Sequence, residues 1–194
     1  RISRLRRELT NIANARSGHR ERRRRNRIPV AALVGYANAG KSTLMNALTG
    51  ANVRAENRLF ATLDPTTRRI QVGSNSLLLT DTVGFVQKLP SDLVAAFRAT
   101  LEEVIEADLL IHVVDACHPM AREQAAEVVR ALRELGVVDR PTVTVLNKVD
   151  QLEEGTPLPD VMDNVDSVRA IALSALHQYG FEDLHSALEQ AVQR

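Results

Sequence analysis

The sequence predicts an α/β domain, with a mostly parallel six-stranded sheet that includes one antiparallel strand and carries helices on both faces. Three observations lead there. From Ile28 onward, short apolar runs alternate with amphipathic stretches, the pattern of strands buried between helices. Six such runs can be counted. The link Val72-Gly73-Ser74-Asn75-Ser76-Leu77 between two of them reads as a hairpin turn, which makes that one pair antiparallel.

In chain order, PVAALVG is the first strand, and residues 41–48 follow as an amphipathic helix. RRIQVG and SLLLTDT are the two arms of the hairpin. Residues 91–106 form the next helix, with Ser91 as its N-cap and Pro90 before it. DLLIHVVDA is a strand, residues 120–135 a helix, PTVTVLN and VRAIALS the last two strands, and residues 181–192 the final helix.

Ahead of this domain, residues 1–27 differ in kind. Ile2, Leu5, Leu9 and Ile12 fall at helical steps with a narrow apolar stripe, and SGHRERRRRNR then runs without an apolar residue. Like charges repel along such a run, so it reads as a linker and interaction arm. The division is therefore residues 1–27 as the end of a helical, Arg-rich region and residues 28–194 as the main domain. The chain opens on Arg1 rather than Met, which points to a fragment lacking its N-terminal part.

The net charge of +1 hides this division. Residues 1–27 hold 11 Arg against Glu8 and Glu21, a balance of +9, and the remainder holds 14 basic against 22 acidic residues, a balance of −8. Arg without interleaved aromatics suits the phosphate backbone of structured RNA, because guanidinium pairs bidentately with phosphate. A solvated linker is the plainer alternative. Aromatics make up 3% with no Trp, which argues against base-stacking platforms. A single Cys117 excludes an internal disulfide framework and a multi-Cys zinc site. No apolar run approaches the ~20 residues of a membrane helix, so a soluble, cytoplasmic protein is expected.

Chemistry concentrates where strands end. Gly35-Tyr36-Ala37-Asn38-Ala39-Gly40-Lys41-Ser42 fits GxxxxGK[ST] between a buried strand and a helix, the context a phosphate loop requires, and the fold is thereby a P-loop NTPase. Successive backbone N–H groups, extending to Thr43, would wrap phosphates at the positive end of the helix. Lys41 would neutralise β- and γ-phosphate charge, and the Ser42 hydroxyl would ligate Mg²⁺. Forty residues after Lys41, Asp81-Thr82-Val83-Gly84 ends the strand LLLT. There a carboxylate can reach Mg²⁺ through water and the Gly84 N–H can meet the γ-phosphate.

Asn147-Lys148-Val149-Asp150 follows the strand VTVL. The Asp150 carboxylate can accept both N1–H and the exocyclic amine of guanine, whereas adenine offers no such donor pair. Asn147 would tie this turn to the phosphate loop, and the Lys148 stem would cover the base. Ser174-Ala175-Leu176, after VRAIAL, would present a backbone N–H to the guanine carbonyl.

These four elements, in this order, resemble the translation-factor-related P-loop GTPases over most of residues 28–194. More closely, the chain resembles the HflX family of ribosome-associated GTPases. That likeness is carried by FATLDPTTR at residues 60–68, DTVGFVQKLP, DLVAAFRATLEEVIEADLLIHVVDA and the basic stretch leading into RIPVAALVGYANAGKST. It implies a monomeric, Mg²⁺-dependent GTP-binding and GTP-hydrolysing switch. It also implies association with the large ribosomal subunit and its rRNA, through residues 1–27 and the missing N-terminal region, and a role in ribosome splitting or rescue.

The resemblance places the first switch at Phe60, Ala61, Thr62, Leu63 and Asp64, with Thr62 as ligand to Mg²⁺ and the γ-phosphate. Lys41, Thr62 and Gly84 are then the catalytic candidates. Thr66 and Thr67 rival Thr62, and relatives with a TTR signature would favour Thr67. Thr62 is preferred because it lies 19 residues before Asp81, which leaves room for both strands of the hairpin.

Where Ras-like GTPases carry the water-orienting Gln after DxxG, this chain has Phe85, which can make no such hydrogen bond. A low intrinsic rate follows, with the ribosome as the family's candidate activator. Gln87 is a fallback that reads more simply as a solvated loop residue. Related GTPases use an Asn at the place of Asn38 to help hold K⁺ near the transferring phosphate, so Asn38 is the candidate K⁺ residue; a turn former is its plain reading. Two rivals remain: a GTP-sensing RNA-binding module with negligible hydrolysis, and a P-loop ATPase or kinase, which conflicts with Asp150. His112 within LLIHVVDA reads as a core histidine, Cys117 as inert, and Asp115 as a contributor to loop order without direct chemistry.

Overall fold

A computed structural model describes residues 28–50, 66–82, 84, 102–137, 140–161 and 167–193. The strands are β1 (Val30–Gly35), β2 (Thr66–Val72), β3 (Asn75–Asp81), β4 (Leu109–Asp115), β5 (Thr142–Asn147) and β6 (Ser167–Ala172). The helices are α1 (Lys41–Thr49), α2 (Ala121–Glu134) and α3 (Phe181–Val192), and a 3-10 turn spans Val149–Gln151.

All six predicted strands form one sheet in the order β2-β3-β1-β4-β5-β6. Every neighbouring pair is parallel except β2 with β3, whose residues Val72 and Asn75 face each other across Gly73 and Ser74. Gly73 has φ 58, the left-handed conformation that Gly supplies at the first central position of a tight hairpin turn. The predicted turn is therefore the observed one.

The period of two along β1 sorts its side chains between two cores. Ala31 and Leu33 join Leu77, Leu79, Ile111, Val145 and Leu173 under α1 and α3, which contribute Leu44, Met45, Leu184 and Leu188. Ala32 and Val34 point the other way, to Leu110, Val128 and Leu132 of the α2 side. Truncating Leu184 or Leu188, both fully buried, to Ala costs about 2–5 kcal/mol. The helix predicted for residues 91–106 is described only at its end. Residues 102–105 are helical, and Val104 and Ala107 are buried against β1 and β4. Its Ser91 cap and the strings Phe60–Asp64 and 1–27 lie outside the described residues.

This topology aims the chemistry. β1 lies between β3 and β4 in the sheet, so the chain crosses it on the way from β3 to β4, and the carboxyl ends of β1, β3, β4, β5 and β6 open on a common rim, where α/β sheets bind their ligands.

Candidate functional site

The loop after β1 reaches α1 through two left-handed residues. Asn38 has φ 64, a conformation Asn tolerates better than most side chains, so the turn-former reading has a geometric basis. Gly40 has φ 98, and a Cβ there would run into the Asn147 amide. The phosphate loop and the turn after β5 therefore touch at a point where only Gly fits. Helix α1 begins at Lys41 with no side-chain cap and no acidic residue in its first turn, leaving its N–H groups directed at the loop, the arrangement that accepts an anion.

Lys41 is buried, and its Nζ donates to the carbonyls of Gly35 and Tyr36, each at 3.1 Å. Burial lowers its pKa from 10.5 to about 8, with the Asp81 carboxylate pulling the other way. A cation desolvated in this manner is poised to gain from an incoming phosphate. Ser42 Oγ donates to Asp81 Oδ2 at 2.6 Å, so the hydroxyl and carboxylate expected to serve Mg²⁺ already converge across 39 residues of sequence. Both are hard oxygen donors, and Mg²⁺ commonly takes only one or two protein ligands beside water and phosphate. Among the described residues no cluster of three or more His, Cys, Asp or Glu could hold a metal. The donor set thus fits Mg²⁺ shared with a nucleotide better than an ion caged by protein.

The Thr82 hydroxyl donates to Leu33 O and fixes the end of β3 to β1. Gly84 then lies against the phosphate loop: a Cβ there would stand 2.7 Å from Ala37 Cα and 3.1 Å from Lys41 Nζ. Of the three rival hydroxyls, Thr67 bonds the Thr80 hydroxyl at 3.0 Å and Thr66 pairs with Asp81 across the hairpin. Thr62 lies outside the described residues, as do Val83, Phe85 and Gln87.

The turn after β5 is held by side chains. Asn147 is buried; its Nδ2 donates to Ala39 O at 2.9 Å and its Oδ1 accepts the Ala175 N–H at 3.0 Å. One amide joins the loop after β1, the turn after β5 and the loop after β6. The Ser174 N–H goes to Tyr179 O, so of the three N–H groups considered for the guanine carbonyl, those of Ser174 and Ala175 are engaged within the chain. That leaves Leu176. His177 Nε2 lies 3.7 Å from Asp150 Oδ2, a neighbour of the expected base-reading carboxylate that no local motif reveals.

Asp115 orders the loops here as expected, and Cys117 joins it. Asp115 Oδ2 is 2.6 Å from Lys148 Nζ, Asp115 Oδ1 accepts the Cys117 N–H at 3.0 Å, and Cys117 Sγ donates to Lys148 O at 3.0 Å. The signal available was positional: Asp115 ends its strand as Asn147 ends the adjacent one. His112 is a core residue as expected, wholly buried, and burial together with Lys41 lowers its pKa to about 4, so it is neutral at ordinary pH.

Comparison with known proteins agrees with this geometry. A family described as 50S ribosome-binding GTPase matches residues 30–148. The chain is 46% identical over 190 residues to the GTPase HflX of Lacrimispora saccharolytica, covering 97% of this chain and 44% of that one. It is 43% identical over 191 residues to the GTPase HflX of Escherichia coli, covering 98% and 45%. The chain belongs to the HflX GTPase family. It spans less than half the length of these HflX relatives. Among solved structures, a GTP-binding protein of Sulfolobus solfataricus in complex with GDP shares 28% identity and a TM-score of 0.71, over 98% of this chain and 64% of that one. The FeoB G-domain of Methanococcus jannaschii shares 27% identity and a TM-score of 0.63, over 86% and 98%. Among the described residues, no HflX helix here is long and apolar enough to cross a membrane.

Proposed function

We propose that this chain is the GTP-binding and GTP-hydrolysing module of an HflX protein, a Mg²⁺-dependent switch that acts on the large ribosomal subunit in splitting or rescue. The observation that carries the nucleotide reading is the Asn147 amide, which ties the GxxxxGKS loop to the NKVD turn with hydrogen bonds of 2.9 and 3.0 Å. Two motifs 108 residues apart are thereby set as one site.

In this reading Gly35, Tyr36, Ala37, Asn38, Ala39, Gly40 and Thr43 wrap the phosphates. Lys41 leaves its two carbonyls for β- and γ-phosphate oxygens, and Gly84 donates its N–H to the γ-phosphate. Ser42 and Thr62 would hold Mg²⁺, with Asp81 reaching it through water, and the metal would supply charge neutralisation to the phosphates. Thr66, opposite Asp81 in register, is the alternative ligand. Asp150 reads guanine, Lys148 covers the base and Leu176 meets its carbonyl. Phe85 makes intrinsic hydrolysis slow, the ribosome accelerates it, and K⁺ at Asn38 contributes. The Arg-rich residues 1–27 bind rRNA phosphates, and the protein works as a cytoplasmic monomer.

One matrix of measurements tests this: GTP turnover in K⁺ and in Na⁺ at fixed ionic strength, each with and without large subunits. Slow turnover alone and a rise with subunits are expected. No rise removes the ribosome from the reading, and equal rates in the two salts remove K⁺. Phe85 also favours a second reading, GTP sensing without appreciable hydrolysis, for which single-turnover experiments with subunits would show GTP persisting.

A further inference from the structure

Asp115 is the last residue of β4 and pairs in register with Asn147 of β5. Its carboxylate is only 15% exposed, and both oxygens are used: Oδ2 at 2.6 Å from the Lys148 ammonium, Oδ1 on the Cys117 N–H. Lys148 stands at φ 68, a left-handed conformation rarely adopted by a residue with a long side chain. Three contacts keep it there. They are the Asp115 ion pair, the Cys117 thiol on the Lys148 carbonyl at 3.0 Å, and the Gln151 N–H on the same carbonyl at 2.9 Å.

This arrangement holds a flexible side chain in one place. A lysine left unanchored must lose its rotamer freedom when a ligand arrives, and that loss comes out of affinity. Here the Asp115 carboxylate fixes the ammonium across 33 residues of sequence. Burial and the Asp115 and Asp150 carboxylates push the Cys117 thiol up, which keeps the S–H intact as a donor.

We propose that Asp115 is a positioning residue for guanine-nucleotide affinity, acting through Lys148 and, with Cys117, preorganising the base-reading turn. The inference rests on the reading of Asn147 to Asp150 as that turn. Asp115 contributes the same to GDP and GTP, because its contacts lie at the base end, away from the γ-phosphate. It acts only as long as Lys148 is present to be held.

The test is a double-mutant cycle on the full chain, read by displacement of a fluorescent GDP. Asp115→Ala is expected to weaken GDP and GTP by one common factor, about tenfold for a charge-assisted contact. In a Lys148→Ala background the same change should add less than about twofold. Asp115→Asn keeps one acceptor oxygen, enough for either the ammonium or the Cys117 N–H but not both, so it should recover only part of the loss, and it carries the cycle alone if the Ala variant does not fold. An equal loss with and without Lys148, or unequal factors for GDP and GTP, overturns the proposal. Asp150→Asn is measured alongside. If it leaves guanine preference unchanged the base-turn reading fails, whereas coupling between Asp115 and Lys148 is decided by the cycle.

Discussion

At the phosphate end of the site, Lys41 rests on two main-chain carbonyls, Gly40 and Gly84 allow backbones to close on one another, and α1 starts without a cap. At the base end, side chains hold the structure: Asn147 bridges two loops, and Asp115, Cys117 and Lys148 close a ring of contacts between β4 and β5. The first end is made of donors and a cation that gain when an anion arrives. The second joins Asn147, Asp115, Cys117 and Lys148 to partners within the chain. Under the proposed function, phosphate recognition would draw on a desolvated cation and helix N–H groups, whereas base recognition would draw on side-chain contacts within the chain.

Removing the cation breaks the phosphate end most severely. Lys41→Ala is expected to weaken GDP binding by roughly 10³-fold, since it leaves buried phosphate charge unpaired, and equilibrium titration should show it. Retained tight binding would mean that the N–H groups suffice alone. At the base end, Asp150→Asn should shift preference from guanine toward xanthine nucleotides by roughly 10²-fold, seen in competition between GDP and XDP. ATP competing as well as GTP would instead restore the ATPase alternative.

Asn147→Ala addresses both ends at once. It leaves Ala39 O and the Ala175 N–H without their partner in a buried setting, at about 2–4 kcal/mol of stability, measurable by denaturant titration of the nucleotide-free chain. A loss well below that would separate the two ends again. The smallest expected effect is a proton count. With Lys41 at about 8 in the free chain and phosphate favouring its charged form, GDP binding should take up a fraction of a proton near pH 9 and almost none near pH 7. Calorimetry in buffers of different ionisation heat reads this directly. By the same linkage the unfolded chain, with Lys41 at its ordinary 10.5, holds that proton more tightly than the folded one. Folding stability from Lys41 therefore rises with pH between about 8 and 10.5 and is lowest below 8.

The sheet was legible because its strands are continuous apolar runs, a pattern that buried parallel strands impose, and because Gly73-Ser74 has the chemistry of a tight turn. The loop at Gly40, Asp81 after LLLT and Asn147 after VTVL were legible for a related reason: each carries a fixed residue type at a strand end. The partners of Asp115, Cys117 and His177 were not. Those partners, Lys148 and Asp150, lie 27 to 33 residues away, and neither periodicity nor a local motif records which strand end will stand beside which. The engagement of the Ser174 N–H by Tyr179 O was equally invisible, because it depends on how the loop closes rather than on residue type.

The Asn147 amide is polar in a directed sense, and that has a consequence for which residues could stand in its place. Its nitrogen faces a carbonyl and its oxygen faces an N–H, so rotating the amide by half a turn would set like against like at both ends. Asp is close in shape but would bring an anion against Ala39 O, Leu would answer neither contact, and Gln adds a methylene in a space where even a methyl on Gly40 does not fit. One position thus filters the side-chain alphabet almost to a single letter, without reference to the nucleotide.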